Sequence, residues 1–293
     1  MVVGFLLGAM SLIGLAYLAI LVSTARRRGA LRPPGEALAL GAVTNFFDTL
    51  GIGSFAPTTA WLKLRRLVPD SFLPATLNSG HALPTVVQAL IFIGLVRVDV
   101  RLLVACITAS VGGSVLGVAL VGRVSQRAVQ LVVGVALLLA AALYALANMG
   151  MLPPGGNALS LEAGLFWTAV AGHFALGALM AFGIGLYAPS LVMLSLMGLN
   201  PVAAFPVMMG SCAFLMPVSG WRFLRSPRID LRVVLGLALG GIPGVLLAAY
   251  VVRSLPLQAL RWGVVAVVLY AAIVLLRSAA LRSSAGAAGT AAD

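Results

Sequence analysis

Long apolar runs alternate along this chain with short polar clusters, most of them basic. Each run holds about 20 residues, enough to cross the roughly 30 Å hydrocarbon layer as a helix at 1.5 Å per residue. Helix is the expected conformation, because a lone strand in lipid leaves its backbone polar groups without partners. The pattern predicts nine hydrophobic segments. The first is a retained helix from Val2 to Val22, whose C-terminal end Arg26, Arg27 and Arg28 hold in the cytoplasm. The others cover 36–67, 71–96, 101–122, 127–147, 161–200, 202–224, 231–252 and 257–277. The second and sixth are interrupted by glycine and proline.

Composition agrees with the pattern. Of 293 residues, 61% are hydrophobic and 9% charged, against roughly 45–50% and about 25% in soluble domains. The net charge of +12 sits at the ends of apolar runs, where it orients helices and meets anionic lipid head groups. No long basic tract with interleaved aromatics is present, which argues against a nucleic-acid partner. Cys106 and Cys212 lie within apolar runs, without metal or redox spacing, and read as buried thiols.

The interrupted segments belong to an internal repeat. Gly51-Ile52-Gly53-Ser54-Phe55-Ala56-Pro57 recurs as Gly183-Ile184-Gly185-Leu186-Tyr187-Ala188-Pro189, an offset of 132. At the same offset Pro69 falls on Pro201 and Ser79 on Ser211. Asp99-Val100-Arg101 is answered by Asp230-Leu231-Arg232, Gly112-Gly113 by Gly240-Gly241, and Arg123 by Arg253. The domain plan is then an extra helix and basic loop (1–35), a first repeat (36–147), a linker (148–160), a second repeat (161–282) and a disordered tail (283–293).

Charge distribution bears on topology. If both interrupted segments cross the membrane, 12 of the 19 basic residues lie inside; if both enter and return, 15 do. The positive-inside rule favours the second arrangement. The expected fold is therefore an all-α integral membrane protein with about seven spanning helices, two Gly/Pro-broken re-entrant hairpins and two inverted repeats. Inversion also accounts for the charges of Lys63, Arg65 and Arg66, which have no counterpart after Leu194.

A Gly-x-Gly break followed by proline ends one half-helix and starts another, here expected at Pro57-Thr58 and Pro189-Ser190. The first N–H groups of such a helix carry the positive end of its dipole, an anion site made of backbone. Irregular backbone at membrane depth is tolerated only where protein or a water-filled cavity surrounds it. The candidate substrate site thus comprises Gly51, Gly53, Ser54, Pro57 and Thr58 in one half, and Gly183, Gly185, Tyr187, Pro189 and Ser190 in the other. Asn45 and Thr49 can line the same cavity, and Ser79 and Ser211 are added because they repeat. The bland alternative for each is a packing kink or a helix–helix hydrogen bond.

Asp48 is an ionisable group within an apolar stretch, and such groups default to function. It is the candidate for a coupling proton or Na⁺; otherwise it is a carboxylate satisfied by nearby backbone N–H groups or by Lys63. His81 is a second candidate by virtue of its titration range, with helix packing as the plainer role. His81 and His173 are too few to hold a metal, and no cofactor is expected.

On Asn45-Phe46-Phe47-Asp48-Thr49-Leu50-Gly51-Ile52-Gly53-Ser54-Phe55-Ala56-Pro57 and Gly183-Ile184-Gly185-Leu186-Tyr187-Ala188-Pro189, from about 41 to 276, the chain resembles the sulfite exporter TauE/SafE family. Ser54-Phe55 and Leu186-Tyr187 stand where that family commonly has a longer glycine run. The resemblance implies export or uptake of sulfite, sulfonates or related small anions across a bacterial inner membrane. A secondary transporter, working by alternating access, is the leading reading. It needs no ATP site, and no GxxxxGK[ST] sequence is present. A passive anion channel and an intramembrane enzyme are the alternatives. The enzyme is the weaker, with no serine–histidine pairing evident. Oligomeric state, a homodimer included, is left open.

Overall fold

The computed structural model describes residues 2–51, 53–69, 72–120, 126–149, 151, 156–180 and 185–254, with parts of 262–280. Ten helices follow in order: α1 (Val2–Arg27), α2 (Gly35–Thr49), α3 (Phe55–Leu64), α4 (Leu73–Leu95), α5 (Val100–Leu120), α6 (Gln126–Asn148), α7 (Ala163–Met180), α8 (Tyr187–Leu196), α9 (Pro201–Leu224) and α10 (Leu231–Ser254). Further helical residues lie within 262–280. The tail 283–293 and the Arg123 correspondence fall outside the described residues.

Among the described residues, five helices are long and apolar enough to cross a membrane: Val2–Arg27, Val100–Gly117, Ala163–Met180, Pro201–Leu224 and Leu231–Val251. About seven were expected. Helix α4 has the length but carries Asn78, Ser79, His81, Thr85 and Gln88, all buried, so its polarity is spent inside the protein. The other expected spans, α6 and 257–277, include residues or side chains outside the described set. Large apolar side chains cover the outer surface, Phe5 being 80% exposed and Tyr250 79%. A water-soluble monomer rarely shows so extended an apolar exterior.

The two interrupted segments have the same local structure. Helices α3 and α8 cover the same ten positions at the offset of 132. Their first intrahelical bonds match, Thr58 N–H to Ser54 C=O and Ser190 N–H to Leu186 C=O. So do their ends: Leu67 N–H bonds Leu62 C=O, and Leu199 N–H bonds Leu194 C=O, each at 3.0 Å. The residue that turns the chain at these ends is left-handed in both, Arg66 at φ 51° and Gly198 at φ 93°. The half-helices begin at Phe55 and Tyr187, two residues before the expected Pro57 and Pro189. Proline fits there because the N–H groups of the first turn have no intrahelical partner to lose.

Both segments fold back on themselves. Glu36, in the first turn of α2, accepts hydrogen bonds from Arg65 Nε at 2.9 Å and Trp61 Nε1 at 3.0 Å, so the two ends of α2–α3 meet. The Arg65 bond holds the Glu36 carboxyl below its usual range. At the other hairpin the closure is backbone: Ala158 pairs with Leu199, and Asn200 N–H donates to Ala158 C=O at 2.8 Å.

The repeats interlock. Helix α2 of the first half packs on α10 of the second, and α7 of the second packs on α5 of the first. Helices α4 and α9 pack together at the centre, and α1 lies across both. Glycine permits the exchanged contacts. A Cβ on Gly240 or Gly244 would run into the backbone carbonyls of Leu38 and Ala42 on α2. A Cβ on Gly113 or Gly117 would meet those of Phe174 and Ala178 on α7. Such close approach supplies the dispersion contacts that hold helices together in lipid.

Candidate functional site

The two breaks converge on one cavity. Gly53, Ser54 and Phe55 line it from the first repeat, and their counterparts Gly185, Leu186 and Tyr187 from the second. Asp48 and its counterpart Met180 face it as well, with Thr85 from α4 and Cys212 and Met216 from α9. Four pairs of equivalent residues therefore surround a space of about 20 Å³, room for roughly one water. The starts of α3 and α8 both open on it. Each places the positive end of a helix dipole at the cavity.

Glycine shapes the first break. Gly51 (φ 96°) and Gly53 (φ 83°) adopt a left-handed backbone that residues with a side chain rarely take. Gly51 also sits close to the second repeat: a Cβ there would be 3.1 Å from Leu191 Cδ2 and 3.4 Å from the Phe205 ring. The turn carries the chain from α2 back into α3 and brings Ser54 N–H onto Asp48 Oδ1.

Asp48 is the one aspartate, glutamate, lysine or arginine side chain buried among the described residues, at 3% exposure. Its second oxygen accepts from Gln88 Nε2 at 2.9 Å. The amide orientation of Gln88 follows from its neighbour. Thr49 Oγ1 donates to Asn45 C=O at 2.8 Å, so it can only accept the 3.0 Å bond from Gln88 Nε2. Gln88 Oε1 then accepts from the Tyr187 hydroxyl. A chain of hydrogen bonds thus runs from the first break through Asp48 and Gln88 to Tyr187 on the second half.

The remaining candidates divide. Asn45 Oδ1 meets His81 Nδ1 at 3.1 Å, and His81 Nε2 meets Thr58 Oγ1 at 3.1 Å, a buried group one turn away from the cavity. Ser190, the counterpart of Thr58, bonds His173 Nε2 at 2.9 Å, while His173 Nδ1 donates to Ala169 C=O. Both hydroxyls are thus held by a histidine, although the two histidines are not equivalent in the repeat. Pro57, Pro189, Thr58 and Ser190 do not line the cavity. Nor do Ser79 and Ser211, whose buried hydroxyls have no hydrogen-bond partner among the described residues. Gly183 lies outside the described residues.

Gln88, Thr85 and Met216 were not singled out from sequence, and His173 and Cys212 were not placed at the site. A lone amide or hydroxyl in a membrane helix gives no signal by itself. The repeat could have pointed to Phe55 and Leu186, the partners of Tyr187 and Ser54.

Fold and site together define a multi-pass helical membrane protein with a pseudo-symmetric buried site at its centre. Residues 164–292 match the family model Sulfite exporter TauE/SafE, in agreement with the resemblance drawn from both breaks. The match covers the second repeat. No curated protein and no solved structure gave a significant match.

Proposed function

We propose that this protein is a secondary transporter of a small oxyanion of the sulfite or sulfonate class, acting as an exporter in a bacterial inner membrane. One observation carries the reading: two repeat-equivalent helix starts, facing each other across one buried cavity. Dipole ends and N–H groups are suited to an anion, and the family's description, which the second half matches, names sulfite export. In the bilayer, α2–α3 and α7–α8 are re-entrant hairpins entering from opposite faces. The substrate site comprises Gly51, Gly53, Ser54, Gly183, Gly185 and Tyr187, supported by Asn45, Thr49 and the first turns of α3 and α8.

The cavity is smaller than a sulfite ion, so loading requires the walls to part. Two groups of helices are the candidates for this movement. Helices α2, α3, α4 and α10 form one group, and α5, α7, α8 and α9 the other, joined mainly through α4 and α9. Each group draws on both sequence repeats. In this reading alternating access is a movement between two mixed bundles around the cavity.

Purified protein in proteoliposomes should move sulfite with saturable kinetics. Gly185→Val should lower that flux at least tenfold while leaving membrane insertion unchanged, because a Cβ added at Gly185 would already lie 3.9 Å from Phe55 Cβ and the further methyls fill the gap between the breaks. Unchanged flux in the variant removes the central site. Fast flux that never saturates makes the protein a channel.

A further inference from the structure

The cavity proposed for an anion contains a carboxylate and, among its described lining residues, no lysine, arginine or histidine. Two negative charges at contact distance repel strongly enough to weaken binding roughly a thousandfold at the effective dielectric of a protein site. The two helix starts, at about half a unit of positive charge each, at most cancel the ionised carboxylate and leave the anion no net attraction. We propose that the cavity admits its anion only together with a proton on Asp48, the two crossing the membrane as a pair. This inference rests on the transporter reading.

The geometry suits a proton better than a metal cation. Ser54 N–H occupies one lone pair of Asp48 Oδ1 and Gln88 Nε2 one of Oδ2. A carboxylate offers about four such sites, so a proton finds a free one without displacing either partner. A hard cation needs a shell of several oxygens. Here Gln88 turns its N–H side to the carboxylate, its carbonyl being committed to Tyr187. The Thr49 hydroxyl is likewise committed to Asn45 and Gln88.

The step balances simply. Water on the loading side gives a proton to Asp48; the neutral acid donates a hydrogen bond to the anion; on release the proton returns to water on the far side. No bond within the anion changes.

The titratable neighbours do not supply this proton site themselves. Tyr187 on α8 is committed to Gln88, and Cys212 on α9 is a buried thiol. His81 on α4 is held between Asn45 and Thr58, and His173 on α7 between Ala169 and Ser190. Glu36 on α2 reaches outward to Arg65; Lys63 on α3 and Arg232 on α10 are exposed.

The test follows sulfite and proton movement together in proteoliposomes. In the wild type, one proton should accompany each sulfite at alkaline pH, where dissolved sulfite is the dianion. Apparent affinity should fall roughly tenfold per pH unit above the Asp48 titration, the slope of one linked proton. In Asp48→Asn, any sulfite flux should have a flat pH profile, with no accumulation driven by a pH gradient. Proton-driven accumulation with a wild-type profile in Asp48→Asn overturns the proposal. If that variant fails to fold, the wild type alone decides: sulfite moving without a proton, or only with Na⁺, overturns it as well. A wild type that moves no anion under any condition refutes the transporter reading itself.

Discussion

At the scale of single residues, the two positive-φ glycines of the first break separate backbone demand from packing demand. A Cβ on Gly53 would meet nothing within 4 Å. Gly53→Ala therefore reports the left-handed backbone alone, about 1–2 kcal/mol. Gly51→Ala adds crowding against Leu191 and Phe205, so its loss should be larger. Thermal unfolding in detergent should show both destabilised, Gly51→Ala the more; equal losses would contradict the packing of the first break on the second repeat. Asp48 was legible beforehand, since one carboxylate in an apolar stretch announces itself. Gln88 was not, because its meaning depends on Tyr187, 99 positions away in sequence.

At the scale of elements, the exchanged pairs α2–α10 and α5–α7 depend on small residues at helical spacing. Gly236, Gly240 and Gly244 recur every four positions on α10, and Gly113 and Gly117 do so on α5. Gly244→Val and Gly117→Val should each destabilise the folded protein by at least about 1–3 kcal/mol, as overpacked sites do. The measurement is the fraction surviving as monodisperse protein after graded heating in detergent. Substitution at Gly4 or Gly8, where a Cβ meets nothing, should be silent. The repeated glycine pairs could be seen in the chain. Their partners could not, because a small-residue stripe says that something approaches closely without saying what.

At the scale of the whole molecule, the contacts that close α2–α3 and α7–α8 bear on how the repeats stand in the membrane. The Glu36–Arg65 contact brings together two points that a straight crossing would place on opposite membrane faces. Cysteines placed at Arg65 and Arg97 should accordingly be labelled from opposite sides in intact cells, Arg65 from the cytoplasm. Labelling of Arg65 from outside would overturn the hairpin topology, and with it the inverted relation of the repeats. The charge count favours the same arrangement, with 15 of 19 basic residues inside.

The chain by itself determined what depends on local chemistry and on copying: a lipid-soluble helical class, two related halves, and breaks where glycine and proline interrupt them. Helix boundaries followed closely, because apolar runs in lipid leave the backbone few options. Tertiary structure decided everything that depends on which surfaces meet. It set the breaks against each other across one cavity, exchanged α2 and α7 between the halves, and left Thr58, Ser190, Ser79 and Ser211 outside the cavity wall. It also gave Asp48 a fixed pair of donors and a link to the opposite half. Periodicity in a membrane helix shows how apolar each face is, but lipid and a neighbouring helix are about equally apolar, so only the packed fold distinguishes the face that meets lipid from the one that meets the site.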